Sequence, residues 1–354
     1  SLRGLKMIKD LVSQVSSGND LSPHDMSNAM NEILNGTQND QDIANFLKNL
    51  AQKGESDDEL LAMLNKMEEF AIHISPNCQG KVIDVCGTGG DKLKTFNIST
   101  AASFVIAAAG GNVAKHGNRS MSGISGSADI FEYFGFDLNS EPMKVNETIE
   151  KFGIGFMFAQ KFHPAMKNVA KARKILGSRT AFNLLGPLTN PAGVKNQLIG
   201  VFSHDYLERV VKILQRNNAE TIMTVRAADG MDELSTTSKN QICLLKNNNI
   251  TKMTLEPQDI GLHAGTISEI QINSKEEAIK SFVDVLNNTA NRTKTEITAL
   301  NAAGGLIVSE ISNDFGDAVQ LALDTIHSGK AFDKLKNFVK NCGDMEKLEG
   351  VEKS

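Results

Sequence analysis

The sequence predicts an α/β protein: a small N-terminal helical bundle domain over residues 1–76, then a large α/β domain over 77–354 with a central, mainly parallel sheet flanked by helices. Three observations carry this reading. Apolar residues in the first 75 positions recur at helical spacing. At Lys81 the run KVIDVCG, rich in β-branched residues and ending in glycine, has the form of a buried strand entering a loop. Beyond it, strand-like and helix-like stretches alternate, which gives a parallel sheet covered by helices, with ligands beyond the carboxyl ends of its strands.

Each element has its own signal. Leu5, Ile8, Leu11, Val12 and Val15 form the first apolar stripe. Ser22 and Pro23 make an N-cap and first-turn pair, with Gly36 as the stop. Ile43, Phe46, Leu47 and Leu50 repeat the pattern, and Ser56 with Glu59 makes a capping box before Leu60, Met63, Leu64 and Met67. Four short amphipathic helices result. In the larger domain helices are expected at 98–109, 127–134, 164–176 and 205–216, and strands at 112–115, 155–159, 198–202 and 220–226. Residues 241–255 read as a hairpin around an asparagine run. From Ser274 to about Asn341 the chain reads as helical with a break at Gly304 and Gly305, and the charged tail from Asp344 reads as frayed.

Composition narrows the function. The chain has 354 residues, 40% of them apolar and 22% charged, so it can bury a full core. A formal charge of -5 lacks the basic excess of a duplex binder, so no nucleic-acid partner is expected and any anion site must be local. Cys78, Cys86, Cys243 and Cys342 form no C-x-x-C pair, which signals neither a zinc site nor a disulfide framework and fits a reducing cytoplasm. No leader-like segment and no long apolar run are present, so neither export nor a membrane span is expected.

Two glycine loops carry the chemistry. In GTGGDKLKTFNIST (87–100), Gly87, Gly89 and Gly90 allow close main-chain approach to an anion, and Asn97, Ser99 and Thr100 stand where the next helix begins. A tight turn with ordinary helix capping is the bland alternative. In KHGNRSMSGISGSAD (115–129) two positive charges, an imidazole and four serines crowd the end of a short strand. A solvated basic turn explains Arg119 but not that density of hydroxyl and glycine donors. Asp232 and Glu233 follow the strand expected at 220–226; both can serve one magnesium cluster only from a turn, which Asp229-Gly230 supplies. In the stretch from His163 to Gly193, Arg173 can grip a carboxylate as a fork, while His163 reads as a helix cap.

In this order and spacing, GTGGD, NIST, KHGNR, SGSAD, HPAM and FNLLGPLTNP closely resemble the anthranilate phosphoribosyltransferases of the nucleoside phosphorylase and phosphoribosyltransferase superfamily, over nearly the whole chain. The resemblance implies that the segment near 164–190 packs onto the helical domain and that the protein is a homodimer. It implies binding of phosphoribosyl diphosphate by Gly87, Gly90, Asp91, Thr95, Asn97, Ile98, Ser99, Thr100, Lys115 and Ser127, and by the run His116, Gly117, Asn118, Arg119, Ser120, Met121, Ser122 and Gly123. Two magnesium ions would be held by Ser99, Asp232 and Glu233. Anthranilate would meet Gly87, Asn118 and Arg173, with His116 and Pro187 lining its path. Three positions depart from the family pattern: Lys92 stands where glycine is common, Ile124 where a lysine often precedes SGSAD, and Gln160 where proline is common. Lys92 would replace the charge missing at Ile124.

The implied reaction is displacement of diphosphate from ribose C1 by the amine of anthranilate, in tryptophan biosynthesis. The neutral amine already carries its lone pair, so no general acid or base is assigned. Two alternatives share the scaffold: a pyrimidine nucleoside phosphorylase, which would want a base-recognition motif in place of Asn118 and Arg173, and a non-catalytic nucleic-acid-binding relative, which the acidic balance disfavours.

Overall fold

The structure, a computed structural model, describes residues 6–120 and 123–354, so Met121 and Ser122 of the anion set lie outside the described residues. The chain forms two compact units, one comprising residues up to 73 with 160–191 and the other 74–159 with 192–354. Helices α1 (Ile8–Ser16), α2 (Pro23–Leu34), α3 (Asp40–Lys53) and α4 (Asp57–Phe70) come first. Then follow β1 (Val82–Gly87), α5 (Ile98–Ala108), β2 (Asn112–Gly117), α6 (Ser127–Tyr133), α7 (Pro142–Phe152), β3 (Ile154–Phe158) and a single turn, α8 (Ala159–Phe162). Helices α9 (Lys167–Leu176) and α10 (Ala181–Leu188) precede β4 (Asn196–Gly200), α11 (Tyr206–Arg216), β5 (Thr221–Ala227), β6 (Asn240–Lys246) and β7 (Asn249–Leu255). The chain ends in α12 (Lys275–Leu286), α13 (Arg292–Val308), α14 (Phe315–His327), α15 (Lys330–Cys342) and α16 (Met345–Glu352).

In the helical unit the caps act as their residue types dictate: Ser22 Oγ accepts from Asp25 N–H, and Ser56 with Glu59 closes a capping box. Glu59 is wholly buried and would be costly unpaired. It is offset by Lys53 Nζ at 2.6 Å and by the amides of Ser56 and Leu21 at 2.8 and 3.0 Å. Asn168 of α9 donates to the Leu34 carbonyl at the end of α2, and Ile72 N–H donates to the Phe162 carbonyl.

The second unit is built on one seven-stranded sheet of order β3-β2-β1-β4-β5-β6-β7. The first five strands are parallel and the last two antiparallel, β6 and β7 forming the hairpin expected at the asparagine run. An aromatic cluster secures one flank: Phe131 of α6 stacks on Phe156 of β3 at 4.6 Å, and Phe104 of α5 meets Phe338 of α15 edge-on at 5.5 Å.

Several local expectations are corrected. Gly304 and Gly305 do not break a helix; they lie inside α13, almost all of which is buried, where a Cβ would meet Leu198 at 2.9 Å and Ile106 at 2.2 Å. They are there for close packing of the helix on β4 and α5. The tail is not frayed, because α16 buries Leu348 and Val351. Residues 181–188, for which no helix is expected, form the short α10, with Pro187 in its last turn. Helix α7 was not expected at all, although Pro142 and the buried Val145 and Ile149 signal it.

Candidate functional site

The sheet brings three loops together at the carboxyl ends of β1, β2, β4 and β5. The first leaves β1 at Gly87 and turns through Gly89 and Gly90, both at positive φ (73° and 91°). Thr88 N–H donates to the Gly200 carbonyl at 2.9 Å, and Gly89 N–H donates to Asp232 Oδ2 at 2.7 Å. Thr88 Oγ1 and Asn97 Oδ1 are buried with no hydrogen-bond partner among the described residues. Such atoms call for an occupant, since an unpaired buried polar group costs about 1–3 kcal/mol.

Asn97 does not cap α5 with its side chain, as the bland reading would have it. Its Nδ2 donates instead to the Ser125 carbonyl at 3.0 Å, tying the first glycine loop to the second. Ser99 Oγ donates to Glu233 Oε1 at 2.8 Å, tying the first loop to the acidic one.

The second loop follows β2. Lys115 is almost wholly buried and its ammonium donates to the Val85 carbonyl, while His116 N–H reaches Asp84 Oδ2 at 3.3 Å. A Cβ on Gly117 would lie 2.0 Å from Ser127 Oγ, so only glycine lets Ser127 approach the strand end. A Cβ on Gly126 would lie 2.6 Å from the Asn118 carbonyl oxygen, so the loop folds tightly around Asn118 as well. Internal partners take several amides that the sequence offered for an anion: Ser120 and Gly126 donate to Asp129 Oδ2 at 3.1 and 2.8 Å, and Gly123 donates to Ser120 Oγ at 2.7 Å. Arg119 donates to Glu132 through both terminal guanidinium nitrogens and stands 5.4 Å from the centre of the Phe158 ring. Of the departures, Lys92 is exposed on the first loop and Ile124 half-buried on the second.

The acidic loop, between β5 and β6, is held by Asp229 of the expected turn and by two asparagines that the sequence analysis does not single out. Asn301, buried in α13, both accepts from Leu234 N–H (3.0 Å) and donates to its carbonyl (2.8 Å). Asn240 does the same for Ser235 at 2.7 and 2.9 Å, and Asp229 Oδ2 accepts from the hydroxyls of Ser235 and Thr237. A buried asparagine in the apolar run ITALNAAGGL was the available signal, since such a group must find partners. Gly200 was also missed: a Cβ there would lie 1.5 Å from the Asp232 carbonyl oxygen.

Asp232 and Glu233 share a strained electrostatic state. Burial, the hydrogen bond with Asp91 and the charge of Glu233 push the Asp232 carboxyl well above its ordinary value, against the pull of the Gly89 amide. Burial and the charge of Asp91 push Glu233 up to about 7, although the Ser99 hydroxyl favours its charged form. Crowded, partly desolvated carboxylates beside a hydroxyl form an all-oxygen set that suits a hard divalent cation, which would relieve their repulsion. Among the described residues no group of three or more His, Cys, Asp or Glu side chains is close enough to hold a metal alone, so phosphate and water oxygens would have to complete the shell.

Gly87 and Asn118 belong to the α/β unit and Arg173 to the helical unit. Burial disfavours the charge of the Arg173 guanidinium, which lies 6.0 Å from the centre of the Phe182 ring. His163 occupies the N-cap position of the turn Pro164–Met166 but its side chain makes no capping bond: its Nε2 meets the Thr189 carbonyl oxygen at 3.0 Å, and burial lowers its pKa to about 4, so it is neutral at physiological pH. No helix among the described residues is long and apolar enough to cross a membrane, and the four cysteines are unbridged.

Comparison with known proteins gives consistent matches. Residues 79–332 match the model of the glycosyl transferase family a/b domain, and residues 9–71 that of the same family's helical bundle domain. The anthranilate phosphoribosyltransferase of Nitrosopumilus maritimus is 61% identical over 98% of this chain and 99% of its own length; that of Cenarchaeum symbiosum is 46% identical over 92% and 95%. The crystal structure of the Thermus thermophilus anthranilate phosphoribosyltransferase superposes with a TM-score of 0.86 at 34% identity, covering 94% of this chain and 98% of the other. The Saccharomyces cerevisiae enzyme in complex with PRPP and Mg shares the fold, with a TM-score of 0.85 at 24% identity over 94% and 97% of the two chains.

Proposed function

The chain belongs to the glycosyl transferase family that contains the anthranilate phosphoribosyltransferases, and on that premise we propose how its residues perform the transfer. The enzyme moves the phosphoribosyl group of 5-phosphoribosyl 1-diphosphate to the amine of anthranilate, giving N-(5-phosphoribosyl)anthranilate and diphosphate, a step of tryptophan biosynthesis. The observation that carries the reading is the meeting of the first glycine loop with Asp232 and Glu233 through Gly89 and Ser99. It puts a glycine loop open to close main-chain approach and a cation-seeking pair at one place. The phosphorylase and nucleic-acid-binding alternatives are set aside, since relatives spanning almost the whole chain are anthranilate phosphoribosyltransferases.

The bond to form is N–C1 and the bond to break is C1–O of the diphosphate; the proton lost from nitrogen passes to solvent or to the departing diphosphate. The protein's work is to hold the amine at C1 and to meet the charge growing on the leaving oxygens. The unpartnered Thr88 Oγ1 would give a hydrogen bond to a phosphate oxygen, and Asn97 Oδ1 would accept one from a ribose hydroxyl. Lys115, clamped on the Val85 carbonyl, adds fixed positive charge behind the strand ends. Magnesium, when bound, supplies positive charge to the diphosphate; Ser99, Asp232 and Glu233 would hold it, and two ions are proposed. The anthranilate residues are Gly87, Asn118 and Arg173. The protein is proposed to act as a cytoplasmic homodimer associating through its helical unit, where α3 and α9 flank a groove of about 560 Å³ beside the half-exposed Ile175.

Incubation of the purified chain with magnesium, phosphoribosyl diphosphate and anthranilate should quench anthranilate fluorescence as product forms. A constant signal would overturn the assignment. Arg173 offers a finer check. Its planar fork matches a carboxylate and a lysine ammonium does not, so Arg173→Lys should raise the KM for anthranilate about tenfold and leave that for phosphoribosyl diphosphate unchanged. Equal shifts for both substrates would remove Arg173 from the acceptor site.

A further inference from the structure

The first glycine loop is not held by its own hydrogen bonds alone. Its second half, residues 93–96, is pinned by a segment nearly 180 residues later in the chain. Phe96 N–H donates to the Ile270 carbonyl at 3.2 Å, and Ile272 N–H donates to the Lys94 carbonyl at 2.9 Å. The exposed Gln271 adds a bond from Nε2 to the Leu93 carbonyl at 2.9 Å, and Thr95 and Gln271 pair as an isolated antiparallel bridge. The same segment touches the acidic loop, where Gly265 N–H donates to the Thr236 carbonyl at 3.2 Å. Two loops of the proposed site therefore rest on one strap.

The strap in turn is fastened to the start of α13, where Asn291 Nδ2 donates to the Glu269 carbonyl at 2.9 Å and Glu296 engages His263. Glu296, buried in the second turn of α13, accepts from the backbone N–H of His263 at 2.9 Å, and its Oε1 and Oε2 lie 2.7 and 3.1 Å from His263 Nδ1. Arg292 Nε donates to its second oxygen at 2.9 Å, and Thr293 Oγ1 lies 3.2 Å from His263 Nε2. Burial opposes charge on Glu296, yet the bonds from His263 and Arg292 hold its carboxyl below the usual range. The approach is tight: a Cβ on Gly265 would lie 2.4 Å from the Thr293 methyl group, so the strap sits flush on the start of α13. A buried carboxylate that engages both the backbone N–H and the ring of a loop histidine is costly unless the loop it fixes has a task.

We propose that the segment Leu262–Ile272 is a strap holding the diphosphate-binding loop in its competent shape, and that His263, fastened by Glu296, is a positioning residue for phosphoribosyl diphosphate. This rests on the reading of that loop as the diphosphate site. Pre-organisation of the loop removes an ordering cost from binding, so loosening the strap weakens capture of the sugar diphosphate and leaves the acceptor's affinity alone.

Two measurements on the full chain test it. First, His263→Ala should raise the KM for phosphoribosyl diphosphate about tenfold, with kcat and the KM for anthranilate within about twofold. His263→Gln, whose amide can still donate to Glu296, should restore most of the loss. Second, hydrogen exchange on the substrate-free protein should show faster exchange at residues 93–96 in His263→Ala and in Gln271→Ala, with α1–α4 unchanged. Unaltered exchange at 93–96 would overturn the strap even if the wild-type chain proved inactive. Faster exchange with an unchanged KM for phosphoribosyl diphosphate would overturn its role in binding, as would parallel shifts for both substrates or a KM loss that glutamine fails to rescue. Wild-type inactivity with altered exchange would instead count against the activity and leave the strap standing.

Discussion

Replacing Asp232 by Asn and Glu233 by Gln together is expected to lower kcat about a hundredfold or more and, at the same time, to make the magnesium-free protein more stable near neutral pH. The first effect is the scale on which enzymes lose rate when a group that stabilises developing charge is removed. The second follows from the raised carboxyl pKa values. Glu233 rises from 4.5 to about 7, chiefly through burial, and Asp232 is raised for the same leading reason. An acid whose folded pKa exceeds its unfolded value favours folding while protonated. That contribution is complete below the unfolded pKa near 4.5 and is lost as pH rises through about 7. The wild-type protein in chelator should therefore show a falling Tm across that interval, read by circular dichroism, and magnesium should lessen the fall. The amide variant, with nothing to ionise at either position, should show a shallower slope and no response to magnesium. A wild-type profile that is flat over this range, or a variant retaining more than a tenth of kcat, would contradict the cation role given to the pair.

What the sequence disclosed, and what it hid, divides along physical lines. The capping box at Ser56 and Glu59 and the hairpin at the asparagine run depend on residues a few positions apart, so local pattern revealed them. The glycine loops and the acidic pair were recognisable because each concentrates residue types that packing alone does not need. Roles that depend on distant contact were not legible. Gly304 and Gly305 read as a helix break, because nothing local shows that Leu198 and Ile106 press against them. Asn301 and Asn240 looked like ordinary polar residues until the backbone of the acidic loop appeared beside them. Asn97 and Ser99 stood equally for capping and for ligand contact, and only the partners Ser125 and Glu233 separate the two. Arg119 carried the most conspicuous charge in its loop, yet its fork is engaged by Glu132.

Gly200 shows how much can rest on an atom that is not there. It ends β4, pairs with Gly87 across the sheet, and accepts the Thr88 N–H, so it stands directly beneath the meeting of the first glycine loop with the acidic loop. A methyl group at this position would lie 1.5 Å from the Asp232 carbonyl oxygen and 2.3 Å from its carbon. Those are backbone atoms, tied on either side by the Asn301 and Asp229 networks, and cannot swing aside as a side-chain tip would. The acidic loop must move by an ångström or more, taking Asp232 away from Gly89. Since displacement of about 1 Å can cost roughly a hundredfold in rate, Gly200→Ala should lower kcat by about that factor. Overpacking should also cost about 1–3 kcal/mol of stability. Gly87→Ala gives a graded comparison: its Cβ would meet the Asp232 carboxylate at 2.5 Å but that residue's backbone only at 3.0 Å. It should disturb turnover while costing less stability than Gly200→Ala. Gly350→Ala, in open space within α16, should leave kcat unchanged. Steady-state rates and urea unfolding of the three variants give the ordering. Turnover in Gly200→Ala close to wild type would mean that the acidic loop can shift without consequence, and the placement of Asp232 would then have no part in the reaction.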